Sequence, residues 1–248
     1  MDGVCHICGR YGRLSFEHVP PESAFNSVSA QLYGMEEYLK AGGLENLRGG
    51  RISQRGIGSH TLCIRCNSNT GAWYGAEYAK WACTGANILA KHPNFIRDRL
   101  TIFACYPVRL LKQAVALLCS INLPDFAATR PDLIRFLLSK ENRDLPKYLH
   151  VQVGLYRGQV ARRIGFAGAV NVDTHTTRLV SEVAHPPLVF LFTLACDPVP
   201  DLQVIDWFSR YRYEQKADVT VEFAVCDGYS PFPGDYRTRP QVLADANS

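Results

Sequence analysis

Two CxxC pairs, Cys5/Cys8 and Cys63/Cys66, constrain the fold of this chain more than any other feature of its sequence. Each pair offers two thiolates from one tight turn, and four thiolates complete a tetrahedral Zn²⁺ shell that has no open position. A redox-active CxxC, by contrast, needs only one pair. The spacing therefore predicts a closed, structural zinc site formed by Cys5, Cys8, Cys63 and Cys66.

The other five cysteines stand singly in apolar surroundings, at Cys83, Cys105, Cys119, Cys196 and Cys226. A free cysteine packs as a small buried hydrophobe, and a chain of 248 residues can bury a core without a disulfide scaffold. We therefore expect packing roles for all five. His6 and His60 are alternative zinc ligands, although four cysteines already suffice.

The composition is that of an ordinary soluble globular protein, and we expect it in the cytoplasm. No stretch reaches the roughly 18 to 20 apolar residues that a membrane span requires. The N-terminal segment MDGVCHIC lacks the basic-then-apolar layout of a signal peptide. The net charge of +4 is too small to imply a polyanionic partner by itself.

Hydrophobic periodicity predicts helices over residues 63–90, 109–122 and 131–141. Strands dominate after residue 148, and five runs are expected to form them: HVQVGLY, QVARRIGFAGAV, TTRLVSEVA, LVFLFTLAC and DVTVEFAVC. We predict an α+β protein with a zinc-stapled module over residues 1–92. An α+β domain with a mainly antiparallel sheet is expected over residues 93–248.

The helix predicted over residues 63–90 carries an aromatic stripe formed by Trp73, Tyr74, Tyr78 and Trp81. Residues spaced by three or four positions share one face of a helix. Such a stripe is typical of a buried core, and a base-stacking platform is the alternative. We expect it to form the seam between the zinc module and the rest of the chain.

A basic, glycine-rich segment leads into the second cysteine pair. Residues 46–76 contain no acidic residue, whereas Arg48, Arg51, Arg55 and Arg65 fall within them. Guanidinium groups fork onto phosphate oxygens better than ammonium groups do. We therefore expect these arginines, together with His60, to contact the phosphates of a nucleic acid. The alternative is a solvated loop.

Three further residues give the zinc module a resemblance to a known family. Glu17-His18-Val19-Pro20 lies between the two cysteine pairs, and Asn67 directly follows the second. The chain resembles the HNH (ββα-metal) endonucleases. Their pattern is a CxxC pair, then an acidic residue or histidine before His-x-Pro, then a second CxxC pair followed by His or Asn. The resemblance is to their zinc-stapled, treble-clef-like subset and covers about a third of the chain.

The resemblance implies a metal-dependent endonuclease that hydrolyses DNA to a 5′-phosphate and a 3′-hydroxyl. His18 matches the family's general base, and Glu17 and Asn67 match the ligands of a catalytic Mg²⁺ or Mn²⁺ ion. Zinc would be structural only. The C-terminal domain would recognise a target, a protein partner, a signal or a second copy of the chain. Restriction or phage defence is the setting that the family suggests.

Some features depart from the family pattern or allow another interpretation. The segment between His18 and Cys63 is long, and its last residues lack the family's middle asparagine, for which Asn26 or Asn46 is the candidate. Thr70 stands where many members have lysine. The rival hypothesis is a non-catalytic zinc module that binds nucleic acid or a protein partner. RNA is the alternative substrate.

In the rival hypothesis the three motif residues are structural. His18 would be a satisfied buried histidine, and Glu17 would pair with an arginine. Asn67 would cap the helix that begins beside it.

Overall fold

A computed structural model describes residues 1–41, 46–171, 176–200, 202–227 and 232–236, together with 240, 241 and 244. Within these residues the protein has helices and a mainly antiparallel sheet. The predicted α+β class is therefore confirmed.

A small antiparallel sheet forms the N-terminal part of the fold. It contains β1 (Asp2–Val4), β2 (Tyr11–His18) and β5 (Gly58–Cys63), in the order β1-β2-β5. The segment between β2 and β5 folds outside this sheet. It holds a two-stranded ribbon of β3 (Ala30–Leu32) and β4 (Arg51–Ser53), with helix α1 (Met35–Ala41) between them.

A long helical stretch begins at the second cysteine pair. Helix α2 (Ile64–Thr70) passes through a π-helical turn (Gly71–Gly75) into α3 (Ala76–Lys91). Tyr74, Tyr78 and Trp81 are buried along it. This burial confirms a core role for these three aromatic residues, and they are not available to stack on bases.

A seven-stranded sheet dominates the second half of the fold. Its order is β6-β12-β7-β10-β9-β8, with a short strand β11 also paired to β7. The bounds are β6 Arg97–Cys105, β7 Leu149–Tyr156, β8 Arg162–Asn171, β9 Thr176–His185, β10 Leu188–Leu194, β11 Gln203–Val204 and β12 Ala217–Cys226. The β12–β7 pair is parallel and the others are antiparallel. Every residue of β10 is buried, as its continuous apolar run predicts for a strand covered on both faces.

Helices complete the core of this half. They are α4 (Pro107–Ile121), α5 (Asp125–Ala128) and α6 (Pro131–Leu138), with a 3₁₀ helix at Asp206–Arg210. Proline stands at the start of α4 and α6, where its missing N–H has no intrahelical partner to lose. In the described part of the chain, no helix is both long and apolar enough to cross a membrane.

The hydrophobic core is continuous across residue 92, the boundary expected between the two domains. One cluster includes Cys5 and Leu62 of the zinc module together with Leu111 of α4. Trp81 of α3 packs against Phe208 and Phe223, with ring centroids 5.7 Å and 6.0 Å apart. The division into 1–92 and 93–248 remains a prediction about folding units. The packing joins them, so that side chains of both halves surround the candidate site.

Candidate metal centre and its surroundings

The four paired cysteines meet at one point. Their Sγ atoms all lie within 4.8 Å of one another, and the Cys8 and Cys63 sulfurs are 3.9 Å apart. A Zn–S bond of about 2.3 Å places tetrahedral thiolates about 3.8 Å apart, whereas a disulfide needs about 2.05 Å. The predicted set of four ligands is confirmed as a cluster compatible with zinc.

Local backbone structure prepares this cluster. Cys5 and Cys8 lie in the turn between β1 and β2, where the Gly9 N–H donates to the Cys5 carbonyl and the Cys5 N–H donates to the Arg10 carbonyl. Cys63 ends β5, and Cys66 lies in the first turn of α2. One CxxC pair therefore lies in a tight turn and the other at a strand–helix junction, and the pairing of β2 with β5 brings the two pairs together.

The thiols interact strongly with one another. A hydrogen bond from the Cys66 thiol lowers the pKa of Cys5 to about 4, while burial raises the pKa of Cys8. The surrounding thiols therefore favour the thiolate form of Cys5. A Zn²⁺ ion would replace the thiol protons and keep all four sulfurs as thiolates.

His18 ends strand β2 beside the arginine-bearing segment. Its ring meets the Phe16 ring edge-on at a centroid distance of 5.0 Å, and its Nε2 lies 2.7 Å from the carbonyl oxygen of Arg55. A carbonyl oxygen can only accept a hydrogen bond, so Nε2 carries the proton and Nδ1 is the basic atom of the neutral ring. The ring is only partly buried. His18 is thus oriented as a proton acceptor.

Glu17 leaves the opposite face of β2, since successive strand residues alternate. Its side chain is buried and accepts a hydrogen bond from Thr61 Oγ1 at 3.3 Å, with the Ser120 hydroxyl as a second partner. Burial raises the pKa of the Glu17 carboxyl to about 8. The group is therefore mostly protonated at neutral pH, and none of the described arginines forms an ion pair with it. A protonated carboxyl is a poor ligand for Mg²⁺ or Mn²⁺.

Asn67 connects α2 to the strand that carries the other two residues. Its Nδ2 donates to Ser15 Oγ and to the Phe16 carbonyl, each at 3.0 Å. The helix α2 has Cys63 at its N-terminal cap position, without a side-chain cap, so Asn67 does not serve as the cap. Neither of its bonds uses the amide oxygen. Asn67 therefore lies next to the backbone of Glu17, and its amide oxygen takes part in neither hydrogen bond.

Different partners hold the three motif residues. Among the described residues, no hydrogen bond joins the Glu17 carboxyl to Asn67 or His18, and the histidine ring lies across the strand from the carboxyl. Because Thr61 and Ser120 hold the Glu17 carboxyl and burial raises its pKa to about 8, this carboxyl would have to ionise before it could bind a Mg²⁺ or Mn²⁺ ion. The roles predicted for Glu17 and Asn67 as its ligands stay predictions.

Asn26 braces the loop that follows His18. Its Nδ2 donates to the carbonyls of Pro20 and Ile57 at 2.7 Å and 2.8 Å, and its Oδ1 accepts from the Ile57 N–H at 2.6 Å. Gly56 has φ +76°, and a Cβ there would meet the Asn26 carbonyl oxygen at 2.1 Å. Of the two candidate asparagines, Asn26 therefore joins the segment after His18 to Ile57, whereas the Asn46 side chain donates to the Ala41 carbonyl at the end of α1.

The expected phosphate-contacting side chains all lie at the surface: Arg48, Arg51, Arg55, Arg65 and His60. The His60 ring contacts the Phe16 ring at 5.5 Å, on the same face as His18. None of Arg51, Arg55 and Arg65 belongs to an ion pair within the residues that the structure describes. These three exposed cations of the zinc module are therefore open to an anionic partner.

Sequence reasoning missed two polar groups of the second half that touch the zinc module. Ser120, at the end of α4, lies 2.6 Å from Thr61 Oγ1 and also contacts Glu17. Arg163, in β8, donates to Ser59 Oγ at 3.4 Å. Because these contacts join residues far apart in the chain, no local pattern could have signalled them.

No protein-family model matches the chain, and searches of curated proteins and of solved structures found no match either.

Proposed function

We propose that this protein is an HNH-type endonuclease that hydrolyses phosphodiester bonds of DNA, with residues 1–92 as its zinc-stapled nuclease module. The observation that carries the proposal is the placement of His18. His18 ends β2, the first strand of a unit formed by β2, β5 and α2, and the cysteine cluster joins the parts of this unit. The Arg55 carbonyl accepts a hydrogen bond from Nε2 of the ring, which leaves Nδ1 as the basic nitrogen. We place the enzyme in the cytoplasm and suggest restriction or phage defence as its setting.

His18 would act as the general base. Hydrolysis needs a water molecule that loses its proton as it attacks phosphorus. With Nε2 hydrogen-bonded to Arg55, Nδ1 would accept that proton, and the imidazolium would keep its Nε2–H bond to the carbonyl. The edge-on contact with Phe16 holds the ring plane. Orientation of the base therefore requires no carboxylate partner.

The exposed cations would hold the DNA strand. Arg55 contributes its carbonyl to His18 and its side chain to the surface, so a phosphate bound by the guanidinium would lie near the base. Arg48, Arg51, Arg65 and His60 would extend these contacts along the backbone. Asn67 and Asn26 are positioning residues, because each ties backbone segments on either side of His18.

A catalytic Mg²⁺ or Mn²⁺ ion held by Glu17 and Asn67 is part of the proposal through the family resemblance alone. Such an ion would neutralise charge on the leaving oxygen. The Glu17 carboxyl would have to ionise and turn from Thr61 and Ser120 before it could bind a cation. We assign no step of the reaction to the ion.

Plasmid cleavage tests the proposal. Purified protein with Mg²⁺ or Mn²⁺ is expected to nick or linearise supercoiled plasmid, and EDTA is expected to stop it. His18→Ala should reduce the rate by roughly 10² to 10⁴, the usual contribution of a positioned acid–base group. His92→Ala is the matched control, since His92 is an exposed histidine at the end of α3. Wild-type cleavage by His18→Ala would contradict the proposed role.

The buried Glu17 favours the second candidate, a zinc module that binds nucleic acid without cleaving it. A neutral carboxyl held by two hydroxyls is a sound structural element and needs no metal ion. In this case DNA binding would depend on the arginines and remain in EDTA. No cleavage would then occur with any divalent cation. RNA in place of plasmid, in the same assay, tests the alternative substrate.

A further inference from the structure

A cleft lies where the zinc module meets the seven-stranded sheet, on the face of β2 opposite His18. Its volume is about 920 Å³, within the range of about 300 to 1,000 Å³ typical of small-molecule sites. Both halves of the chain line it, through Ser59, Thr61, Ser120, Phe126, Arg163 and Phe166. The cleft therefore combines hydroxyls, aromatic rings and a guanidinium.

A comparison of two neighbouring arginines in β8 shows how unusual Arg163 is. Arg162 is buried on one face of the sheet and pairs with Glu182 at 2.8 Å. Arg163 faces the cleft, where its hydrogen bond goes to the neutral Ser59 hydroxyl at 3.4 Å. Burial and the nearby Arg51 guanidinium lower the pKa of Arg163. A desolvated cation beside a second cation, with no ion pair to a described carboxylate, is a favourable place for an anion.

Arg163 and Arg51 also line a second, smaller cleft of about 490 Å³. The two clefts thus share the Arg163 side chain, and Arg51 approaches it from β4. Two carboxylates border the clefts, Asp125 in the larger and Glu37 in the smaller, and Glu37 accepts a hydrogen bond from the Gly34 N–H. Neither forms an ion pair with the two arginines in the described part of the chain.

A β-bulge places an aromatic ring in the larger cleft. The register between β8 and β9 shifts between Ile164 and Ala167, and the Asn122 side chain accepts a hydrogen bond from the Phe166 N–H at 2.7 Å. Bulges redirect side chains next to functional sites. The half-buried Phe166 ring lies 5.1 Å from that of Phe126. Nucleobases of any identity can stack on such rings, because every base has a π-face.

We propose that this cleft binds a nucleoside phosphate, with the base against Phe166 and Phe126 and the phosphate on Arg163 and Arg51. The half-buried Ser59 hydroxyl offers a hydrogen bond to the sugar or the base edge. The ligand is either a free nucleotide or one nucleotide of a single strand. The site shares Arg51 with the proposed DNA contacts but lies on the opposite face of β2 from His18, so its occupancy does not require cleavage.

Calorimetric titration of the zinc-loaded protein, with all of residues 1–248 present, tests the site. AMP is the first probe, because a purine offers a large face for stacking, and a mixed-sequence single-stranded hexanucleotide is the second. Saturable binding of AMP would identify a free nucleotide, and binding of the hexanucleotide alone would identify a strand. Adenosine and inorganic phosphate, each lacking one half of the ligand, should bind more weakly than AMP.

Two variants localise the binding. Arg163→Gln should weaken whichever probe binds by roughly tenfold to a hundredfold, the usual effect of removing a hydrogen bond to a charged group. Phe166→Leu should weaken it roughly tenfold, because the leucine side chain cannot stack on the base. Arg178→Gln, an exposed arginine of the adjacent strand β9 outside the cleft, should leave it unchanged, as should His18→Ala.

Zinc content and the unfolding midpoint of each variant show whether it is folded. Absence of saturable binding for both probes would overturn the proposal. The same holds if folded Arg163→Gln and Phe166→Leu both bind with wild-type affinity.

Discussion

The cysteine cluster and the Glu17-His18-Asn67 set lie side by side in the zinc module, yet they differ in how their parts are arranged. Four thiols from two knuckles already meet within 4.8 Å. Glu17 and His18, although adjacent, leave opposite faces of β2, and the carboxyl is held by Thr61 and Ser120. The cysteine cluster is complete once β2 pairs with β5, because this pairing brings the two CxxC segments together. The positions of the Glu17 and His18 side chains depend, in addition, on which residues pack against each face of β2.

The largest expected effect tests the cysteine cluster as a structural zinc site. Cys63→Ser should unfold or aggregate the N-terminal module, because the binding free energy of a structural zinc, about 10 kcal/mol or more, contributes directly to folding. Elemental analysis should find less than half an equivalent of zinc, and proteolysis should cut early in residues 1–92. Cys83→Ser is the control, since Cys83 is exposed and lies outside the cluster. Full zinc occupancy in folded Cys63→Ser would contradict the assignment.

A smaller effect tests whether the Glu17 carboxyl is protonated in the folded protein. The pKa of Glu17 is about 8 in the folded protein and near 4.5 in the unfolded chain, so the folded state binds more protons between these values. Its contribution to stability is complete below about pH 4.5 and is lost as the pH rises through about 8. Between pH 6 and pH 9 the titration of Glu17 should lower the free energy of unfolding by about 3 kcal/mol.

Urea unfolding at these two pH values measures the effect, and Glu17→Gln should make the dependence shallower by that amount. An identical pH dependence in the wild type and the variant would mean that Glu17 is ionised in the folded protein. The carboxylate would then be ready to bind a cation without rearrangement.

The smallest effect concerns the cations near His18. Replacing Arg48, Arg51 and Arg55 by glutamine should weaken DNA binding and reduce the slope of log K against log salt by about 0.9 for each phosphate that is no longer neutralised. Fluorescence anisotropy at several salt concentrations gives the slope. Three exposed arginines of the second half, Arg135, Arg178 and Arg212, form a matched control triple. An equal slope for both triples would mean that residues 46–55 are a solvated loop.

Local patterns predicted much of the fold. The spacing of Cys5, Cys8, Cys63 and Cys66 predicted the cluster, alternation predicted strands β7, β8, β9 and β12, and a continuous apolar run predicted β10. Strand β6 was missed because it is an edge strand that begins with three charged residues and buries only Ile102 and Cys105.

The surroundings of the site were less predictable. That Glu17 and His18 face apart follows from the period of a strand, but which face is buried depends on α4 and its Ser120. The position of Arg163 beside Arg51 likewise arises from packing of β8 against the zinc module. Contacts between distant segments have no signature in either segment alone.

The central claim is that zinc holds the module while His18 performs the chemistry, and one sample of His18→Ala tests it most directly. Zinc content and Mg²⁺-dependent plasmid cleavage should be measured on that same preparation. We predict one equivalent of zinc per chain and cleavage reduced by roughly 10² or more. Wild-type cleavage with full zinc would show that His18 is structural, and loss of zinc together with cleavage would show that the two sites are not independent.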